Sequence, residues 1–223
     1  MAPSDSPQPT IDSFMWDRAN WTPAESSDRQ RIWRNDAGDL MVQQFGREVP
    51  RGLPLDWRDA EALRACVTAN PSPKLAFVSI DVVTLACGVV AARYVHKEHM
   101  PPPSLGMQYV GMLALPFERF FTNVLFAGME HGTTGTREAV LAATGKVRMQ
   151  RSDGPPPVLT NEQVERMYDE FRNATPRRLA SDDEQWDDLF PQHPLSRVRG
   201  HLRGVQETMT VDEVVRRARP FGV

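Results

Sequence analysis

The sequence predicts an α+β protein: an antiparallel β-sheet meander flanked by helices, with a helical C-terminal region. Two observations carry that expectation. Between residues 31 and 143, short apolar and β-branched runs are separated by turns rich in Gly, Pro and Asn. After residue 160 the punctuation changes, with three Ser/Thr-x-x-Glu/Gln capping signatures in succession.

The elements follow in order. Residues 1–10 are rich in Pro and Ser and lack a basic n-region and an apolar h-region, so 1–12 reads as a flexible tail, not a signal peptide. The remainder, 13–223, reads as a single domain, with a strand-rich core over about 31–143 and helices over about 160–219. Asn35, Asp36, Ala37 and Gly38 form a turn between strands at 31–34 and 39–45. A loop at 46–54 leads to a helix over 57–69, with Asp56 as its N-cap. The stretch 75–86 is apolar on both faces and reads as a central strand covered on both sides. Residues 89–96 form its return strand, and a proline-stiffened connector at 100–103 follows. Two further strands cover 107–115 and 120–128, and 137–143 reads as strand or helix. An exposed loop spans 145–157. Capping boxes at Thr160/Gln163, Ser181/Glu184 and Thr210/Glu213 open helices over 161–173, 182–190 and 211–219. Between the last two, Leu195, Val198, Leu202, Val205 and Met209 form one apolar helix stripe, with Pro194 in the first turn.

Composition excludes several classes of function. A net charge of -3 and a pI near 6.0 oppose a dedicated nucleic-acid binder, which needs a positive field. No apolar run reaches the roughly 18 residues of a membrane span. Two cysteines, Cys66 and Cys87, read as reduced thiols. Together these features point to the cytoplasm. Oligomeric state is not legible.

The densest chemistry lies in Glu130, His131, Gly132, Thr133, Thr134, Gly135, Thr136, Arg137 and Glu138. Two glycines let consecutive amides converge into an anion-binding nest. A helix starting near Arg137 would add its positive dipole end, and Arg137 would clamp a phosphate or carboxylate. The competing reading is a Gly/Thr turn between two strands. The stretch has neither the Walker lysine nor the G-x-G-x-x-G spacing, so no cofactor is implied. His96 and His99 superficially resemble a metal pair, but they sit at a strand end without a third ligand, so no metal is expected. No G-x-S-x-G elbow is present, and no catalytic residue is assigned.

The second dense segment runs from Asp187 to Arg199. Phe190, His193, Arg197, Arg199 and Arg203 are candidates for contact with a protein partner. The competing reading is a helix connection held by acidic–basic pairing, with the arginines on a solvated face.

Three stretches carry a resemblance. They are GMQYVGMLALPF from Gly106, EHGTTGTREA from Glu130, and DDLFPQHPLSRVR from Asp187. As a set, these motifs resemble a group of bacterial proteins of unassigned function, which supplies no catalytic residues to carry over. More loosely, the strand-rich middle with flanking helices is similar to the PsbP/Mog1-like fold. That resemblance implies a protein that binds other proteins, as some chaperones of secreted effectors do. The leading expectation is therefore a non-enzymatic protein-binding factor of adaptor, chaperone or immunity type. The alternative is a binder of an anionic small molecule or nucleotide, with a hydrolase or transferase as a special case, acting through the loop 132–137.

Overall fold

In the computed structural model, seven strands among the described residues pair into one antiparallel sheet: β2 (Thr22–Ser26), β3 (Gln30–Arg34), β4 (Leu40–Gly46), β5 (Leu75–Thr84), β6 (Val90–His99), β7 (Met107–Pro116) and β8 (Phe121–Met129). Their spatial order is β2-β3-β4-β8-β7-β6-β5. A short strand β1 (Phe14–Met15) pairs separately with β9 (Thr210–Val211), joining the two ends of the chain. The helices are α1 (Ala60–Ala69), α2 (Thr136–Ala143), α3 (Asn161–Asn173), α4 (Pro194–Thr208) and α5 (Glu213–Arg216). The structure describes residues 7–48, 54–69, 72–101, 104, 106–132, 134–147 and 160–222, with only the backbone at 171 and 172. Parts of the expected tail, of the loops 46–54 and 145–157 and of the proline connector lie outside these residues.

The fold is the expected α+β class. Two apolar layers sandwich the sheet. On one face α4 lays its stripe across β7 and β8, burying Leu195, Val198, Leu202 and Val205. The approach is close because Gly111 has no side chain: a Cβ there would lie 2.6 Å from Val198 and 2.7 Å from Leu202. On the other face α1 and Trp57 cover Ile80, Ala92, Tyr94 and Ala114.

Several local expectations are corrected. Among the described residues the strand at β5 is an edge strand, not a central one, since only β6 pairs with it there. Its apolar residues on both faces meet α1 on one side and the main core on the other. Its outer carbonyls are capped by side chains, Ile80 by Arg64 and Val78 by Arg178, which blunts the edge. Asp59, not Asp56, caps α1, accepting from the amides of Glu61 and Ala62. The capping box of α3 forms as expected between Thr160 and Gln163. The Ser181/Glu184 signature does not open an α-helix. Two 3-10 turns, Ala180–Asp182 and Glu184–Leu189, occupy that stretch, and the Ser181 hydroxyl donates to Glu138. The last expected helix shrinks to α5, because Thr210 and Val211 extend into the pairing with β1. Ile11, ahead of the expected domain start, is buried in the core.

Candidate functional site

The two dense segments meet at one end of the sheet, where β6 finishes, β7 begins and β8 finishes. Beyond β8 the chain turns through Gly132 and Gly135, both at positive φ, into α2. Residues 137–143 are therefore helical. The segment 179–193 folds over α2 and delivers the chain to α4.

Arg137 is the centre of the junction and is fully buried. Its Nε donates to the Ser181 carbonyl at 2.6 Å. Nη1 donates to Asp187 Oδ1 and Ser196 Oγ, at 3.1 and 2.9 Å. Nη2 donates to the Asp183 carbonyl and Asp187 Oδ1, at 2.9 and 3.1 Å. All five donors are engaged, by four protein acceptors with Asp187 Oδ1 serving twice, so the expected ligand clamp at Arg137 is corrected: the guanidinium has no N–H left for a phosphate. Phe190 lies over it, 5.7 Å from ring centre to guanidinium carbon.

Arg199 joins the same network. It reaches Asp187 Oδ1 at 3.0 Å and the Asp182 carbonyl at 2.6 Å. It is buried, so its expected role on a docking face is corrected as well. Arg197 forks onto both oxygens of Asp39, at 2.9 and 2.7 Å, and also donates to the Gln192 carbonyl. Arg203 is exposed, 3.6 Å from Glu184. The three arginines therefore do not form one basic stripe.

The nest expected in the Gly/Thr loop holds an anion of the protein's own. The Gly135 amide is near enough to the Glu130 carboxylate to favour its charge. Met107 N–H reaches Glu130 Oε2 at 2.9 Å, and His193 Nε2 stands 3.4 Å from Oε1, too long for a strong hydrogen bond. Burial works to raise the Glu130 pKa. His193 and the two amides outweigh it, so the carboxyl is held below its usual range.

His193 also caps α4, its Nδ1 accepting from Leu195 N–H at 3.2 Å. That leaves the proton on Nε2, facing Glu130. With its lone pair taken by the cap, this imidazole is not placed to act as a general base.

Two cavities adjoin the pair and share Glu130. One, about 310 Å³, is lined by Lys97, Met107, Tyr109, Thr134, Gly135, Glu138 and Leu179, among others. The other, about 440 Å³, lies between His131, Thr136, Arg137, Phe190, His193 and Arg197. Thr133 lies outside the described residues. The start of α2 thus faces both cavities, but Gly135 is already engaged by Glu130.

His96 and His99 do not come together. Three positions apart on β6, they point to opposite faces. His96 packs on Phe77, and His99 meets the Ala174 carbonyl at 3.1 Å. Among the described residues, no group of three His, Cys, Asp or Glu is arranged to hold a metal.

Sequence reasoning passed over Lys97, Tyr109 and Asp182. Lys97 donates to Asp182 Oδ2 at 2.6 Å, with both side chains almost fully buried. The available signal was the two-residue period of β6, which puts Lys97 on the same face as Val95 and Ala91. Burial pushes the Tyr109 hydroxyl well above its usual range, and the carboxylates of Glu130, Glu138 and Asp182 push it further.

No protein-family model matches the chain, and no curated protein matches it. Among solved structures it is similar to the Ran-binding protein Mog1p of Saccharomyces cerevisiae, known from a crystal structure at 1.9 Å. The TM-score is 0.35 and the identity 11%, over 60% of this chain and 78% of that one. That likeness is too slight to transfer a role.

Proposed function

We propose that the protein is a non-enzymatic binding factor that recognises another protein, of adaptor, chaperone or immunity type. The observation that carries this reading is α3. Val164, Met167 and Tyr168 form an apolar stripe at helical spacing, and the sequence continues it to Phe171. Met167 is 47% exposed and Tyr168 38%. An isolated helix of thirteen residues is marginal in water, so such a stripe calls for cover from a partner's groove. The helix runs directly into 174–179, which forms a wall of the smaller cavity. Partner surface and cavity are therefore continuous along the chain.

The titratable groups of the junction support a binding role over catalysis, because Arg137, Arg199 and His193 are engaged in internal bonds. No helix among the described residues is long and apolar enough to cross a membrane.

The test is affinity capture from native lysate with the wild type and with the double variant Met167→Glu/Tyr168→Glu. A protein retained by the wild type and lost by the folded variant supports the reading. A monomer that enriches nothing, or identical capture by both, removes its basis.

A further inference from the structure

We infer that the smaller cavity receives a basic side chain, a lysine or arginine presented by the partner protein. The inference rests on the protein-binding reading and names the chemistry that one of its sites takes. It reverses the charge that the sequence assigned to this region.

The reasoning starts from the charges facing the cavity. Lys97 is a buried cation in its wall, but its ammonium is held by Asp182 at 2.6 Å. The pair is neutral as a unit. Arg137 and the Gly135 amide, the donors expected to hold an anion, are engaged by Asp187 and by Glu130. Arg177 stands exposed at the mouth. His99 also lines the cavity, with Nε2 meeting the Ala174 carbonyl at 3.1 Å, and the other charged groups of the wall are carboxylates. Glu130 has a side chain only 7% exposed and is kept ionised by His193 and two amides. Glu138 uses one oxygen to accept the Ser181 hydroxyl at 3.0 Å.

Its other oxygen, Oε2, is shielded from solvent and has no hydrogen-bond partner. A buried carboxylate oxygen without a donor is costly, and a cationic donor in the cavity would satisfy it once the Glu138 side chain turns Oε2, now closed to solvent, toward it. Burial raises the Tyr109 hydroxyl first, and Glu130, Glu138 and Asp182 add to that shift against Arg137. The remaining walls suit a basic side chain: Met107, Pro176 and Leu179 offer apolar surface to an aliphatic stem. A volume of about 310 Å³ is at the small end of ligand sites and accommodates a basic side chain.

The experiment titrates the full chain with Nα-acetyl-lysine methylamide and Nα-acetyl-arginine methylamide. The neutral norleucine analogue, inorganic phosphate and cadaverine serve as comparisons. Binding is read by amide chemical-shift mapping. Saturable shifts at Lys97, Tyr109 and Gly135 with the basic amides, and none with norleucine or phosphate, are the expected result. Glu138→Gln should weaken binding roughly tenfold or more, while Glu138→Asp, which retracts the carboxylate, should fall between. The wild-type map stands even if either variant fails to fold.

Phosphate shifting these amides, or norleucine binding as well as lysine, overturns the inference. Tighter binding of cadaverine than of the lysine amide overturns the partner-borne source in favour of a free amine. The α3 double variant separates the two proposals, because it should lose the captured protein and keep the basic-amide shifts. Capture without any basic-amide binding sinks this inference alone.

Discussion

Replacing Arg137 with Met tests whether the junction is a structural lock or a ligand clamp. The side chain is fully buried and donates to two backbone carbonyls, one hydroxyl and, twice, to Asp187. Removing one partner of a buried ion pair costs about 3–5 kcal/mol. Arg199 remains 3.0 Å from Asp187 and keeps that carboxylate compensated, which places the pair's share at the low end. The Ser181 and Asp183 carbonyls lose their donor, at about 1 kcal/mol each. The expected sum is about 5 kcal/mol, or roughly 10–20 °C in melting temperature for a chain of this size. Urea unfolding should show a lower midpoint with an unchanged slope. Arg137→Lys keeps the charge and three donors, so it should recover about half of the loss. A cost below about 1 kcal/mol for Arg137→Met, together with loss of a phosphate-ester thermal shift that the wild type shows, would refute the lock and restore the clamp.

Other outcomes follow from the same structure. Burial disfavours the Asp39 charge, but the hydrogen bonds of Arg197 and His201 and the Arg197 charge prevail, so its pKa falls well below the usual range. The unfolded chain then binds that proton more readily, and the stabilisation is present above the ordinary carboxylate value of about 4 and lost as pH falls below it. Asp39→Asn should be less stable at neutral pH, with the gap from wild type closing in acid; a gap that stays constant from pH 7 to acid denaturation would discount the pair. Gly111→Ala drives a methyl into Val198 and Leu202 and should cost about 1–3 kcal/mol by urea unfolding; no loss would mean that α4 is not seated so closely. Met167→Glu alone should change stability by no more than about 0.5 kcal/mol, since that side chain is exposed. A larger loss would show that α3 packs on its own chain.

Much of the fold was legible because short-range chemistry governs it. The Asn35–Gly38 turn needs only a positive φ at Gly38 and an Asn side chain that accepts the Asp39 amide. The Thr160/Gln163 box and the stripe of α4 are likewise local, each written within one or two helical turns. Errors arose where distant residues decided. The strand β5 reads as central because it is apolar on both faces; that it lies at the edge depends on which strand pairs with its other side, and none among the described residues does. The Ser181/Glu184 signature has the spacing of a cap, but Ser181 bonds instead to Glu138, 43 positions away.

At the site the same division holds. The sequence by itself determined that the Gly/Thr loop and the Asp187–Arg199 segment concentrate charge, and that the loop's glycines allow converging amides. Only the tertiary structure decided what those groups face. It set Glu130 against the Gly135 amide, Asp187 against Arg137 and Arg199, and Asp182 against Lys97, 85 positions apart. The physical reason is that a charge's role depends on its nearest opposite charge in a low-dielectric interior, and chain spacing does not encode that distance. A loop that reads as an anion receptor in sequence is therefore, once folded, already occupied by the protein's own carboxylate.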